Sequence, residues 1–380
     1  MIKIEQYQWS VENGWRGNGR GLGEKAALVL VFGARQHLPL RAVIDYISDL
    51  YPQALIVGCS TAGEIHGTTV RDETLTVAAM AFDQTRIKGA QVAVPRVEDS
   101  MRAGRELASR MDEEGLRHVL VLSDGLSVNG SELVKGLMQA LPKGVTVTGG
   151  LAADGDRFKE TAVLFGREAK PNAVVGVGFF SDRLHVGYGS LGGWDPFGPE
   201  RVVTNSRGNV LYEVDGKSAL ELYTTYLGPH AEGLPSTGLL FPLSLRADED
   251  DTEPVVRTIL SVNEQDRSMT FAGDVPEGSI VRFMKANLDR LVGGAQDAAL
   301  ASLGGMKGSA PAIALLISCV GRKLVLKQRV EEEVEAVREV LGADAAITGF
   351  YSYGEISPFT ASGTCRLHNQ TMTITLLGED

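Results

Sequence analysis

The stretch GCSTAGEI at residues 58–65 recurs near the other end of the chain as GFYSYGEI at 349–356, with Thr61 facing Ser352 and Cys59 replaced by Phe350. What precedes each copy also matches. The apolar run AALVLVF (26–32) leads through LRAVIDYISDL into ALIVG, and AIALLIS (312–318) leads through EEEVEAVREVLG into AAITG. A weaker copy lies between them, HVLVLSDG (118–125), then SELVKGLMQAL, then VTVTGGLAADG (145–155). Internal repetition restricts the fold more than composition does, because each copy has to be the same supersecondary unit. Short apolar runs that stop at glycine read as strands, and the stripes between them as helices. Each unit is therefore predicted to be strand, helix, strand, Gly/acid turn and strand, with closing strands LTVAAMAF, TAVLFG and MTITLLG.

Leu40, Val43, Ile44, Ile47 and Leu50 share one helix face, as do Val334, Val337, Val340 and Leu341, where Glu331, Glu332 and Glu333 sit at the positive end of the dipole and Gly342 stops the helix. The strand runs are continuously apolar, so their sheets need cover on both faces. The predicted fold class is α/β, with α+β also open, built of repeated strand-helix-strand-strand units that form layered sandwiches in two related domains. A chain of 380 residues is too long for one ordinary core. The expected division is an N-terminal segment at 1–24, a domain at 25–210 and a domain at 211–380. Between the second and third copies, AVVGVGFFSDRLHVGYGS reads as a hairpin about Ser181 and Asp182, and VVRTILSVNEQDRSMTFAG as another about 264–267. GGWDPFGPE (192–200) reads as a turn before the strand-like RVVTNSRGNVLYEVDG.

A net charge of −11 argues against nucleic acid and anionic membrane, both of which need a concentrated basic surface. The three cysteines, Cys59, Cys319 and Cys365, have no paired spacing and fit a reducing, cytoplasmic compartment. The N-terminus has no apolar signal region, and no run is long enough to span a membrane. GNGRGLG (17–23) precedes the first strand-like run, which discounts dinucleotide binding.

From about residue 25 onward the chain resembles a known family. The turn GCSTAGEI, the run from VGVGFFSD to NVLYEVDG, and above all VPEGSIVRFMKANLD, LLISCVGRK, GFYSYGEISPF and LHNQTMTITLL are similar to paired FIST N and FIST C domains. The resemblance implies a bacterial sensory, ligand-binding protein, and not an enzyme. Its output would pass to a partner such as a histidine kinase, a diguanylate cyclase or a phosphodiesterase, because no kinase or cyclase segment is present. For the ligand it implies either haem b, through which one branch of the family senses nitric oxide, or an amino acid or similar metabolite. A homodimer is left open.

Candidate residues follow from both readings. The two turns offer Gly58, Ser60, Thr61, Gly63, Glu64, Gly354 and Glu355 as pocket walls, against a structural role in which glycine frees the backbone and the carboxylate caps turn N–H groups. Cys59 could be a nucleophile only if a histidine such as His66 met it in space, which would make the chain a cysteine-dependent hydrolase; its replacement by Phe350 favours a small buried residue instead. The six histidines show no zinc-type spacing. Haem needs one axial ligand and an apolar slot. The family motif offers His368 as metal ligand, then His185, with Tyr351 and Tyr353 as walls or ligands. Arg322, beside Lys323, is a partner for propionates or another anion. Ser123, Asp124 and Gly125 read either as an anion nest or as an ordinary turn.

Overall fold

The structure, a computed structural model, describes residues 1–17, 21–234, 236–359 and 363–380; part of the 17–23 glycine-rich stretch lies outside them. The three repeats become three units of one design. The first contains β1 (Lys3–Ser10), β2 (Leu28–Ala34), α1 (Arg41–Leu50), β3 (Leu55–Thr61), β4 (Glu64–His66) and β5 (Leu75–Ala81). The second contains β6 (Arg86–Ala93), α2 (Ser100–Met111), β7 (Leu116–Ser123), α3 (Gly130–Ala140), β8 (Thr146–Leu151), β9 (Val163–Phe165) and β10 (Ala173–Phe180). The third contains β11 (Leu184–Leu191), α4 (Leu288–Gly305), β12 (Ile313–Cys319), α5 (Val320–Leu326), α6 (Val330–Leu341), β13 (Ala346–Ser352), β14 (Gly354–Pro358) and β15 (Met372–Glu379).

Within each unit the strand order is opening, closing, first core, second core: β1-β5-β2-β3, β6-β10-β7-β8 and β11-β15-β12-β13. The two core strands run parallel, which is why a helix must cross between them. The place beside the second core strand is filled by the short strand of another unit. β9 pairs with β3, β14 with β8 and β4 with β13, so the exchange closes on itself around three units. The register is the same at each crossing: Leu164 lies opposite Gly58, Ile356 opposite Gly149 and Ile65 opposite Gly349.

The repeated glycine has a steric cause. A Cβ on Gly58, Gly149 or Gly349 would lie 1.8, 1.9 and 1.8 Å from the carbonyl oxygens of Val31, Val121 and Leu316 on the neighbouring core strand. No side chain fits such an approach. The apolar runs are buried as expected, with every residue of β2, β5, β10, β12 and β15 inside.

The α/β class and layered arrangement are as expected, and four details differ. First, TAVLFG does not close the second unit; its 163–165 portion is the crossing strand β9, and β10 closes the unit. Second, β10 and β11 do not pair as a hairpin about Ser181, because β10 stays with β7 while β11 joins β15 in the third sheet. Third, only the beginning of GGWDPFGPE turns, since a strand runs over Asp195–Arg207. Fourth, residues 210 and 211 lie together in the strand Val210–Val214. That strand belongs to an eight-stranded antiparallel sheet inserted between β11 and α4, whose own core includes Val203, Leu211, Tyr223, Phe271 and Phe283. The hairpin about 264–267 is present, pairing Ile259–Asn263 with Ser268–Phe271.

Candidate functional site

The first Gly/acid turn lies where all three units meet. Ser60 is buried behind it, with its Oγ accepting the N–H of Ala162 at 3.0 Å. Ser60 O accepts the N–H of Ala153 at 2.8 Å and Thr61 O that of Gly155 at 3.2 Å, which ties the loop after β8 to the turn. Gly63 has φ +136°, in the region that favours glycine, and a Cβ there would meet Lys323 Nζ at 2.6 Å. Lys323, one helical turn into α5, reaches back and donates to Ala62 O at 2.7 Å while pairing with Asp72.

These segments enclose a cavity of about 450 Å3. The first unit contributes Thr61, Gly63, Glu64, Asp72 and Glu73, the second Arg157 and Asp156, and the third Lys323 and Lys327. Glu73 and Lys327 are both held at positive φ, 56° and 53°, in a conformation uncommon for residues with a side chain. Such backbone persists only where its surroundings impose it, and it concentrates at functional sites. Gln36, Asp72 and Glu73 also wall a neighbouring cavity of about 660 Å3 under Trp9 and His37.

Glu64 is wholly buried at the cavity wall. Its carboxylate accepts from the Thr61 hydroxyl and from the N–H and Oγ1 of Thr74, at 3.0 and 2.7 Å for the last two. Burial raises it to about 7, against the lowering effect of these donors. The second turn repeats the arrangement and lines neither of these two cavities. Glu355 accepts from Ser352 Oγ at 2.7 Å and from Thr371 N and Oγ1 at 3.2 and 2.9 Å, and burial raises it to about 8. Gly354 packs closely, since a Cβ there would lie 2.9 Å from a methyl of Leu151.

Of the seven turn residues, Thr61, Gly63 and Glu64 therefore wall the cavity, while Gly58, Ser60, Gly354 and Glu355 support the sheets behind. Asp124 is a turn acid, accepting the N–H groups of Leu126 and Ser127 at 2.9 and 2.8 Å and that of Asn172 at 3.1 Å.

The haem candidates do not form one pocket. His368 is fully buried, its Nε2 is 2.9 Å from Ser357 O, and burial lowers it to about 4. His185, on the third sheet's edge strand β11, pairs with Asp380 at 2.6 Å. Tyr351 donates to Glu333 at 2.7 Å, and Tyr353 is bound to Asp154 and stacks on Phe158 with centroids 4.3 Å apart. Arg322 is an internal ion-pair residue, 2.7 Å from Glu333 with both side chains fully buried, and so is closed to propionates. None of these five lines the cavities of about 660, 450 and 420 Å3 in which a macrocycle would find room. The residues present do not fit haem. Among the described residues no cluster of three or more His, Cys, Asp or Glu could hold a metal ion.

Cys59 is buried with its thiol pushed well up by burial, as its reading as a small core residue requires. His66 cannot orient it, because β4 carries His66 into the third sheet opposite Thr348 while Cys59 faces Val163 in the first. Sequence reasoning missed Asp72, Glu73, Arg157 and Lys327 altogether and took Arg322 and Lys323 as a pair. The one signal available for separating that pair was helical direction, since adjacent helix positions point about 100° apart.

Residues 27–217 match the FIST N domain and residues 219–358 the FIST C domain. An uncharacterised protein of Mycobacterium tuberculosis is 26% identical over 372 residues, covering 93% of this chain and 92% of its own. An uncharacterised protein of Methanocaldococcus jannaschii is 23% identical over 391 residues, covering 92% and 73%. A cyanuric acid hydrolase from A. caulinodans aligns over 100% of this chain and 99% of its own at 9% identity, with a TM-score of 0.37.

Proposed function

The chain belongs to the FIST family, and from that premise we propose that it is a sensory protein whose ligand is a small zwitterionic metabolite of the amino-acid class, bound where the three units meet. The observation that carries this reading is the charge pattern of the junction cavity. Lys323, Lys327 and Arg157 line the same space of about 450 Å3 as Asp72, Glu73 and Asp156, with Lys323 already paired to Asp72, so a ligand entering it meets both signs of charge and can offer a carboxylate to the cations and an ammonium to the acids. A site of one sign would instead select a simple anion or cation.

The haem and nitric oxide form gains no support from the placement of His368 and His185, and it is not adopted. Signalling follows from the position of the cavity. A ligand that touches all three units favours one relative arrangement of them by its differential affinity, and a partner such as a histidine kinase or cyclic-dinucleotide enzyme reads that arrangement. No helix among the described residues is long and apolar enough to cross a membrane. The three cysteines, free and buried, are the ground on which we propose a reducing, cytoplasmic location.

The test is a thermal-shift screen of the common amino acids against the whole protein. Binding stabilises by RT ln(1 + [L]/Kd), about 2.7 kcal/mol at a hundredfold excess over Kd. At least one amino acid is expected to raise the midpoint, with the effect lost in Lys323→Gln. No shift with any of them refutes the ligand class; a shift that survives Lys323→Gln refutes the site.

A further inference from the structure

A second cavity lies away from the junction. α3, the strand Cys365–His368 and the inserted sheet bound a groove of about 420 Å3 whose apolar side is Val134, Met138, Leu245, Val255, Pro276 and Leu367. Arg257 lines it and is only 6% exposed. Its Nε donates to Asp274 O at 2.9 Å, and its Nη1 to Val256 O at 3.2 Å and Leu367 O at 3.0 Å. Nη2 has no hydrogen bond and no carboxylate lies within ion-pair distance among the described residues; the Asp274 carboxylate acts on the guanidinium only from beyond that distance.

The other charges of the groove are already engaged. Arg366 pairs with Asp251 at 3.1 Å, Lys135 with Glu132 at 3.4 Å, and Asp274 Oδ1 accepts from Asn129 at 2.9 Å. Ser131, on the α3 wall, has a buried Oγ without a partner. A buried guanidinium with no carboxylate in contact is costly, and it is retained where an anion or another role compensates. Three backbone carbonyls tie it across the insertion and the third unit but leave one face of donors unused.

We propose that this groove is a second binding site, for a small organic monoanion with an apolar body. The carboxylate is held by Arg257 Nη2, and the body lies along Val134, Met138 and Leu245. The inserted sheet thereby gains a ligand of its own, independent of the one at the junction. The groove volume is at the lower end of the usual range for small-molecule sites and suits a bicyclic or medium-chain acid.

The probes are 2-naphthoate and its neutral counterpart 2-naphthamide, titrated by their fluorescence into the full chain. The acid is expected to saturate at one per chain and to bind at least about tenfold more tightly than the amide, as a charge-assisted hydrogen bond requires. Arg257→Gln is expected to bring the ratio near one. Ala247→Trp, at the exposed rim, is expected to weaken both probes without disturbing the interior, and it decides the matter if Arg257→Gln does not fold. No saturable binding of the acid, equal binding of acid and amide, or acid binding that Ala247→Trp leaves unchanged overturns the proposal.

Discussion

Replacing Gly149 with alanine places a methyl group 1.9 Å from the carbonyl oxygen of Val121, and the same change at Gly58 or Gly349 places one 1.8 Å from Val31 or Leu316. A carbon and a carbonyl oxygen in favourable contact are roughly 3.3–3.6 Å apart. The two parallel core strands would therefore have to separate by more than about 1 Å, in a ladder that both crossing strands and helices hold closed. Overpacking against movable side chains typically costs about 1–3 kcal/mol. Here the obstacle is backbone, so each substitution should reach about 3 kcal/mol or more, a fall in apparent Tm on the order of 6 °C at roughly 2 °C per kcal/mol for a large chain. The control is Gly304→Ala on the exposed face of α4, where no atom lies within 4 Å of the new methyl. It should be neutral or stabilising by about 0.5–1 kcal/mol. Scanning fluorimetry on the four variants measures this. If any one of the three core glycines tolerates alanine as Gly304 does, the units do not share the register described.

Three further outcomes follow from the buried groups. Glu64 and Glu355 have folded values raised to about 7 and about 8, so the stability they contribute is complete below the ordinary carboxylate value of about 4.3 and is lost as pH rises from there to the folded values; urea midpoints should fall between about pH 4.5 and 8 and level off above, and Glu64→Gln should make the fall shallower below about pH 7. A profile for Glu64→Gln that overlays the wild type would show the acid to be ionised throughout. Glu333→Gln strands the fully buried Arg322 and should cost about 3–5 kcal/mol by denaturant titration, much of it recovered in Arg322→Met/Glu333→Leu; a loss under 1 kcal/mol would deny the pair its role. A thiol reagent should label none of Cys59, Cys319 and Cys365 in the native protein and all of them in guanidinium, and fast native labelling of Cys59 would reopen its reading as a nucleophile.

The repeated unit was legible because its causes are local. Apolar runs such as ALVLVF, a stripe such as Val43, Ile44 and Ile47, and a glycine where strands approach closely all leave marks within about 30 residues. The strand exchange left none. GEI and AVLF look like the next strand of their own unit, and only the closed ring of sheets sends them elsewhere. The same limit explains the hairpin wrongly expected at Ser181, where a short polar link joins two sheets as readily as two paired strands.

At the candidate site, Thr61, Gly63 and Glu64 could be read from the repeat. Asp72, Glu73, Arg157 and Lys327 could not, since each belongs to a different loop and carries a side chain common on any surface. The haem candidates fail to converge for a related reason: a histidine inside a motif shows neither its burial nor its partner. His368 spends its Nε2 on Ser357 O in the interior.

The most direct test of a ligand site shared by three units is amide hydrogen exchange of the whole protein, with and without the amino acid giving the largest thermal shift. Protection is expected together at 61–64 and 72–74, at 155–157 and at 320–327, one set of segments from each unit. Protection confined to one unit, or found only away from these segments, would contradict a ligand held at the junction.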